Sequence, residues 1–348
     1  MESTRSSLAF ATEVNRRQII NGLEAEVVKL HPIQHKFAWE AYQTGNANHW
    51  LPNEISMQRD IEQWRSTGLS PAERQVVKLS LGFFSTADSI VANNLVLAVY
   101  RHLTSPECRL YLLRQAYEEA IHTHAYQYMV ESLGLDEAEI FNMFRSVQVI
   151  ADKDAFAGAL AQQILDPAFC TGSFARDQLF LENLIDFYVI MEGIFFYSSF
   201  AAMLSFHRRN LLPGTAEQFQ YIMRDESMHM NFGLDLIRQL LREQPELWTA
   251  GFQAQIRNKL LEAAELEAAY ATELVPEGIL GFNAASFIDY TRYIVDRRLQ
   301  ALGMAPAFAQ SNPFTWMSEV VDLHKAKNFF ESRVTEYQTG GTLDWGDF

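Results

Sequence analysis

The chain has 348 residues, 48% of them hydrophobic and 13% aromatic, enough to bury a sizeable core in one large domain or two ordinary ones. Its formal net charge of -15 argues against nucleic acid as the main partner, because phosphate binding needs clustered Lys and Arg. There is no uninterrupted apolar run of membrane-spanning length, no secretory core in MESTRSSLAF, and only two cysteines, Cys108 and Cys170, which form no CxxC pair. The expectation is a cytoplasmic protein with no membrane span, disulfide framework or thiolate zinc site.

Residues 1–30 are mixed polar and read as an irregular N-terminal segment. Ser70-Pro71-Ala72-Glu73 has the N-cap, N1 proline and N3 glutamate of a capping box, and opens a helix predicted to reach about Leu103. Ser105-Pro106-Glu107 opens the next, with Gly134 as its stop. A third long helix is predicted from about Ser173 to Arg209, and its sole charge between Phe187 and Phe206 is Glu192. Gly214-Thr215 opens a fourth that ends near Pro245, and two more cover about Leu247 to Leu274 and Ala284 to Leu302. Long helices with short connections, no strand-like alternation and no fixed repeat predict an all-α bundle over residues 31–325. Residues 326–348 read as a tail, whose end QTGGTLDWGDF has the form of a flexible peptide that docks on another protein.

A carboxylate inside an apolar helix is costly unless it is compensated. Four predicted helices each carry one: Asp88, Glu119, Glu192 and Glu226. Two of these have a histidine three residues later, Glu119 with His122 and Glu226 with His229, so each pair shares a helix face. Chance supplies on the order of one such ExxH match in a chain of this composition. Two matches, with lone carboxylates on the two other long apolar helices, form the pattern of a dinuclear metal-carboxylate bundle. Four carboxylates and two imidazoles suit iron or manganese. The bland alternative is surface salt bridges with satisfied core histidines, and it requires all six to coincide by accident. Tyr126 stands four residues after His122 and seven after Glu119, on the metal-facing side of its helix. A phenol held there in an apolar pocket can lose one electron and persist as a radical. His124 is predicted to face elsewhere.

The blocks FFSTADSIVANN, YEEAIHTHAYQYMVESLG, IMEGIFFYSSF and RDESMHMNFG, supported by ANHWLP and FFESRVTEYQ, closely resemble the small subunit of class I ribonucleotide reductase over roughly residues 30–348. The resemblance implies a ferritin-like helical bundle in which Asp88, Glu119 and His122 bind one metal ion and Glu192, Glu226 and His229 the other. Glu119 and Glu226 would bridge the two. Tyr126 matches the radical tyrosine, and Phe196, Phe200 and Ile222 match the apolar pocket around it. Trp50 matches the tryptophan of the long-range electron route, Asp225 its hydrogen-bond partner near His229 or His122, and Tyr337 the relay tyrosine near the C-terminus. The tail ending Asp344-Trp345-Gly346-Asp347-Phe348 resembles the segment that docks on the large catalytic subunit, and a homodimer is implied. Oxygen or a reduced oxygen species is the implied oxidant.

The motif wording resembles a branch that uses a manganese-iron pair and replaces the radical tyrosine with phenylalanine. Tyr126 and Asp88 depart from that branch, which commonly has glutamate at the second position, and favour di-iron. Manganese-iron and di-manganese stay open because these ligands discriminate poorly between the ions. With no P-loop and no GxGxxG in a βαβ setting, the chain is not expected to reduce nucleotides alone. Two rivals share much of this site. An R2-like ligand-binding oxidase needs an open channel to the metals and neither Tyr337 nor a docking tail. A ferritin-like storage protein needs an assembling shell and an iron-exit route.

Overall fold

A computed structural model describes residues 17–22, 30–276, 278–279 and 282–317. Most of the expected N-terminal segment lies outside these residues, as does everything from residue 318 on, including Tyr337 and the tail.

The described chain is helical, with two isolated β-bridges and no strand. Its helices are α1 (Lys36–Ala47), α2 (Gln58–Arg65), α3 (Pro71–Asn93), α4 (Pro106–Leu133), α5 (Glu137–Phe141) and α6 (Met143–Ser146). There follow α7 (Gln148–Leu165), α8 (Phe174–Ile185), α9 (Tyr197–His207), α10 (Pro213–Glu243), α11 (Ala250–Leu274) and α12 (Ala284–Ala301). The predicted starts at Ser70 and Ser105 are capped by those side chains, whereas the helices expected from Gly214 and Leu247 begin at Pro213 and Ala250. Ser70 Oγ accepts from Glu73 N (3.2 Å) while Ser70 N donates to Glu73 Oε2 (2.7 Å), closing the capping box. Gly134 ends α4 at φ 65°, in the left-handed region that glycine enters without steric cost.

Two of the long helices widen into π-helix, α3 over Asn94–Val99 and α8 over Asp186–Phe195. Such stretches are rare and frequent at functional sites. From Phe174 to His207 the chain runs 34 helical residues, long and apolar enough to cross a membrane by length and composition. Its apolar window is wholly buried inside the protein, however, as expected of a core helix that is hydrophobic all round. Around it, α10 packs along the π-stretch and α9, α3 lies against α4, and both helices of the α11–α12 pair also pack on the π-stretch.

Sequence periodicity missed α1, α2 and the α5–α7 region. For α7 the reason is visible: it has no side-chain cap, and its fully buried residue Lys153 is one that hydropathy assigns to the surface.

A buried charge cluster ties the N-terminal segment to the bundle. His35 lies between Glu107 (Nδ1 to Oε2, 3.6 Å) and Glu243 (Nε2 to Oε1, 3.5 Å). Glu243 also accepts from Ile19 N (2.8 Å) and Glu107 from Gln34 N (2.8 Å). Burial alone lowers the His35 pKa, but the two carboxylates outweigh it and raise the value above 6.5. A raised folded pKa contributes stability that is fully present below the unfolded value and lost as pH rises through the folded one. Replacing His35 with glutamine is therefore expected to cost about 2 kcal/mol in mildly acidic buffer. That difference from wild type should shrink as the pH is raised through neutrality in a thermal-melting series. A difference that does not change with pH would assign the effect to packing.

Candidate metal centre

Helix periodicity and the bundle together bring six side chains to one point. Asp88 comes from α3, Glu119 and His122 from α4, Glu192 from the π-stretch, and Glu226 and His229 from α10. None is more than 1% exposed. They form two overlapping clusters, Asp88, Glu119, His122, Glu226 and Glu119, Glu192, Glu226, His229, with the ligand atoms in each within 4.8 Å of one another. Glu119 and Glu226 belong to both. His122 Nδ1 is 3.6 Å from Asp88, 3.5 Å from Glu119 and 3.0 Å from Glu226. His229 Nδ1 is 3.2 Å from Glu119, 3.8 Å from Glu192 and 3.4 Å from Glu226.

The unused bonding capacity of these atoms shows what fits between them. Asp88 Oδ1, Glu192 Oε2, both oxygens of Glu119 and Glu226, and the Nδ1 atoms of both histidines are buried without a hydrogen-bond partner. Orphaned buried acceptors are costly and rare, and here they all converge. Four carboxylates carry four negative charges, which two divalent cations neutralise. Burial, and then the charges of Glu119 and Glu226, push Asp88 well above the usual carboxylate range, and Glu192 is raised in the same way. A bound cation reverses that logic and keeps the carboxylates ionised. The donor set of oxygens and imidazole nitrogens fits a dinuclear iron or manganese centre.

Behind these six side chains lies a layer of others that orients them. His122 Nε2 faces Asp225 Oδ2 (3.4 Å), which also accepts from Trp50 Nε1 (2.8 Å). Of the two histidines near which Asp225 was expected, it meets His122. Burial opposes ionisation of Asp225, but Arg224 and the hydrogen bonds from His122 and Trp50 hold its carboxyl at about 2. On the other side His229 Nε2 meets Glu118 Oε2 (2.8 Å), which Arg114 pairs through Oε1 (3.2 Å). A carboxylate facing Nε2 favours a proton there, and the tautomer it favours leaves Nδ1 free to bind a metal ion. Glu192 Oε1 accepts from Gln115 Nε2 (3.0 Å), and Gln115 Oε1 accepts from Tyr188 Oη (3.0 Å). Glu118, Arg114, Gln115 and Tyr188 were not singled out from sequence. Gln115 and Glu118 stand four residues and one residue before Glu119 respectively, and only the former spacing carries a helical-face signal.

Tyr126 is fully buried, and its hydroxyl donates to Asp88 Oδ2 (2.7 Å). Burial and the nearby charges of Asp88 and Glu226 push the phenol pKa well up, so it stays protonated. Its ring neighbours are Phe84 (5.7 Å between centroids) and Phe219 (6.3 Å). Phe196 and Phe200 each pack on Phe84 (5.0 Å) and form the next layer of the pocket, and Ile222 is buried on α10. Phe84 and Phe219 were not singled out from sequence, although Phe84 lies four residues before Asp88 and Phe219 seven before Glu226, a helical-face spacing that could have found them. His124 is exposed, as expected. Trp50 is 4% exposed, stacks on Tyr221 (5.2 Å) and lies 6.5 Å from the His122 ring.

The family described as ribonucleotide reductase, small chain, matches residues 27–313. The chain is 53% identical over 333 residues to a ribonucleoside-diphosphate reductase subunit beta of Chlamydia pneumoniae, covering 96% of each sequence. Among solved structures it is similar to a ribonucleotide reductase R2 subunit from Clostridium botulinum, with TM-score 0.80 at 25% identity, over 88% of this chain and 94% of that one. A dimanganese(II) protein from Streptococcus sanguinis shares the fold, with TM-score 0.72 at 21% identity, over 85% of this chain and 98% of that one.

Proposed function

The chain belongs to the ribonucleotide reductase small-chain family, and from that premise we propose which of its residues generate and pass on the oxidising equivalent. It is the small subunit of a class I ribonucleoside-diphosphate reductase, works with a large subunit, and carries a dinuclear metal site in a ferritin-like bundle. One observation carries the ligand assignment: Glu119 and Glu226 fall in both clusters, as bridging carboxylates must. Asp88 and His122 then complete one ion's ligands, and Glu192 and His229 the other's. Di-iron is the first choice of metal. Manganese-iron and di-manganese are the rivals, because carboxylate oxygens and imidazole nitrogens discriminate poorly between these ions.

When bound and treated with oxygen or a reduced oxygen species, two redox-active ions supply the one-electron oxidising power that side chains lack. The protein's own part starts at Tyr126. Its hydroxyl proton points at Asp88 Oδ2, so the phenol can release the proton over a hydrogen bond as it loses an electron. The rings of Phe84 and Phe219, backed by Phe196, Phe200 and Ile222, exclude water and external reductants from the phenoxyl oxygen. The chain Trp50, Asp225, His122 links the site toward the protein surface through two hydrogen bonds. We assign the outward transfer to this chain and to Tyr337, which lies outside the described residues. The equivalent ends on the large subunit, where the nucleotide is reduced.

Burial of all six ligands favours this reading over a ligand-binding oxidase with an open substrate channel. Docking through residues 338–348, a homodimer and a cytoplasmic setting complete the proposal. Deletion of residues 338–348 is expected to abolish binding to the large subunit in a pull-down and holoenzyme activity with it. Metal content and the radical signal should stay at wild-type level. Full activity in the deletion would count heavily against the docking role.

A further inference from the structure

Glu192 is the one carboxylate of the site presented by a π-helix, Asp186–Phe195, rather than by a regular α-helix. Where wide turns return to α-geometry the backbone register changes, and carbonyl oxygens near the junction need other donors. At that junction two buried cations supply them. Arg298 of α12 donates from Nε to Gly193 O (2.8 Å), and Lys153 of α7 donates from Nζ to Phe195 O (2.9 Å). These carbonyls belong to the residues one and three positions after Glu192. Gly193 makes the approach feasible, because a Cβ there would stand 3.1 Å from both Arg298 Nε and Tyr188 O.

The lysine is itself held in place. Lys153 is fully buried and pairs with Glu267 of α11 at 2.7 Å, and its Nζ lies over the rings of Phe83 (3.5 Å) and Tyr270 (3.9 Å). Glu267 accepts from Ser198 N (3.2 Å), in the first turn of α9 just past the junction. At the opposite end of the π-stretch Lys259 of α11 binds Asp186 Oδ2 (2.9 Å). A buried ion pair is a poor source of stability, and well-packed apolar side chains of similar size often replace one without loss. Its placement on the carbonyl of a π-to-α junction therefore points to a geometric role.

We propose that Lys153, with its counter-ion Glu267, and Arg298 are positioning residues that fix the π-to-α junction and so hold the Glu192 carboxylate against Glu119, Glu226 and His229. The inference rests on the ligand assignment above. It makes these residues determinants of affinity at one of the two ion positions, although none of them is part of either ligand cluster.

The test is anaerobic manganese(II) titration of the full chain, with free ion followed by electron paramagnetic resonance. Wild type is expected to take two equivalents per chain. In Lys153→Met/Glu267→Gln, and separately in Arg298→Gln, one equivalent should bind as in wild type. The other should weaken by about 10- to 100-fold, the usual effect of removing residues that support metal ligands. Glu192→Gln provides the reference for selective loss of that equivalent. Wild-type protein that takes fewer than two equivalents would overturn the ligand assignment itself. Two unchanged equivalents in the variants would overturn the positioning role alone, and so would equal weakening of both, which is the mark of general loosening. If far-UV circular dichroism shows the double variant unfolded, Arg298→Gln decides by the same criteria.

Discussion

Tyr126→Phe is expected to abolish the tyrosyl-radical signal of the oxygen-treated, iron-loaded protein and to lower holoenzyme activity at least about 100-fold, or about 2.7 kcal/mol in activation free energy. Two metal ions per chain should remain. The argument is local. The substitution removes one oxygen atom, and the ring that remains suits a pocket already built from Phe84 and Phe219. What is lost is the oxidisable O–H and its hydrogen bond to Asp88 Oδ2. Asp88 keeps both carboxylate oxygens, Oδ2 at 3.6 Å from His122 Nδ1 and Oδ1 without a hydrogen-bond partner. Metal analysis with electron paramagnetic resonance, after loading with iron, manganese or both, reads the two effects separately. A coupled manganese signal with activity surviving Tyr126→Phe would keep the reductase role but place the stored equivalent on the metals.

Glu226→Gln carries the second large effect. Glu226 lies in both clusters, 3.0 Å from His122 Nδ1 and 3.4 Å from His229 Nδ1, where a bridging ligand of the two proposed ions would stand. The amide keeps the shape but offers one neutral oxygen in place of two that share a charge. Residues that merely support a ligand cost 10–100-fold in metal affinity, and a shared ligand should exceed that range. The expected result is weakening of both equivalents by more than about 100-fold, with radical yield and holoenzyme activity near background. Asp88→Asn or Glu192→Gln should weaken mainly one. A Glu226→Gln protein that holds one ion at wild-type affinity would remove Glu226 from the bridging position.

Much of the site was legible because helical periodicity is local. Two ExxH pairs, lone carboxylates in apolar helices and a tyrosine one turn past His122 needed only a 3.6-residue repeat to be placed on common faces. Phe84 and Phe219 share those faces but were not singled out from sequence, whereas the capping residues at Ser70, Ser105 and Gly134 announced their helix ends.

What the sequence by itself determined is thus the face on which each chemical group stands, the all-α architecture and, through its motifs, the family. Tertiary structure alone decided what each group meets across the bundle. Asp225 could have served either histidine, and helix packing placed it on His122 and gave His229 to Glu118. Packing also decided that Phe196 and Phe200 reach Tyr126 through Phe84, and that Lys153 is a core residue. The two π-stretches carry no local signal of their own, because a wide turn is stabilised by what is packed against it rather than by the propensity of its residues. Periodicity is written into one helix at a time. Partnership depends on the relative placement of several helices, which is set by the sum of all their contacts.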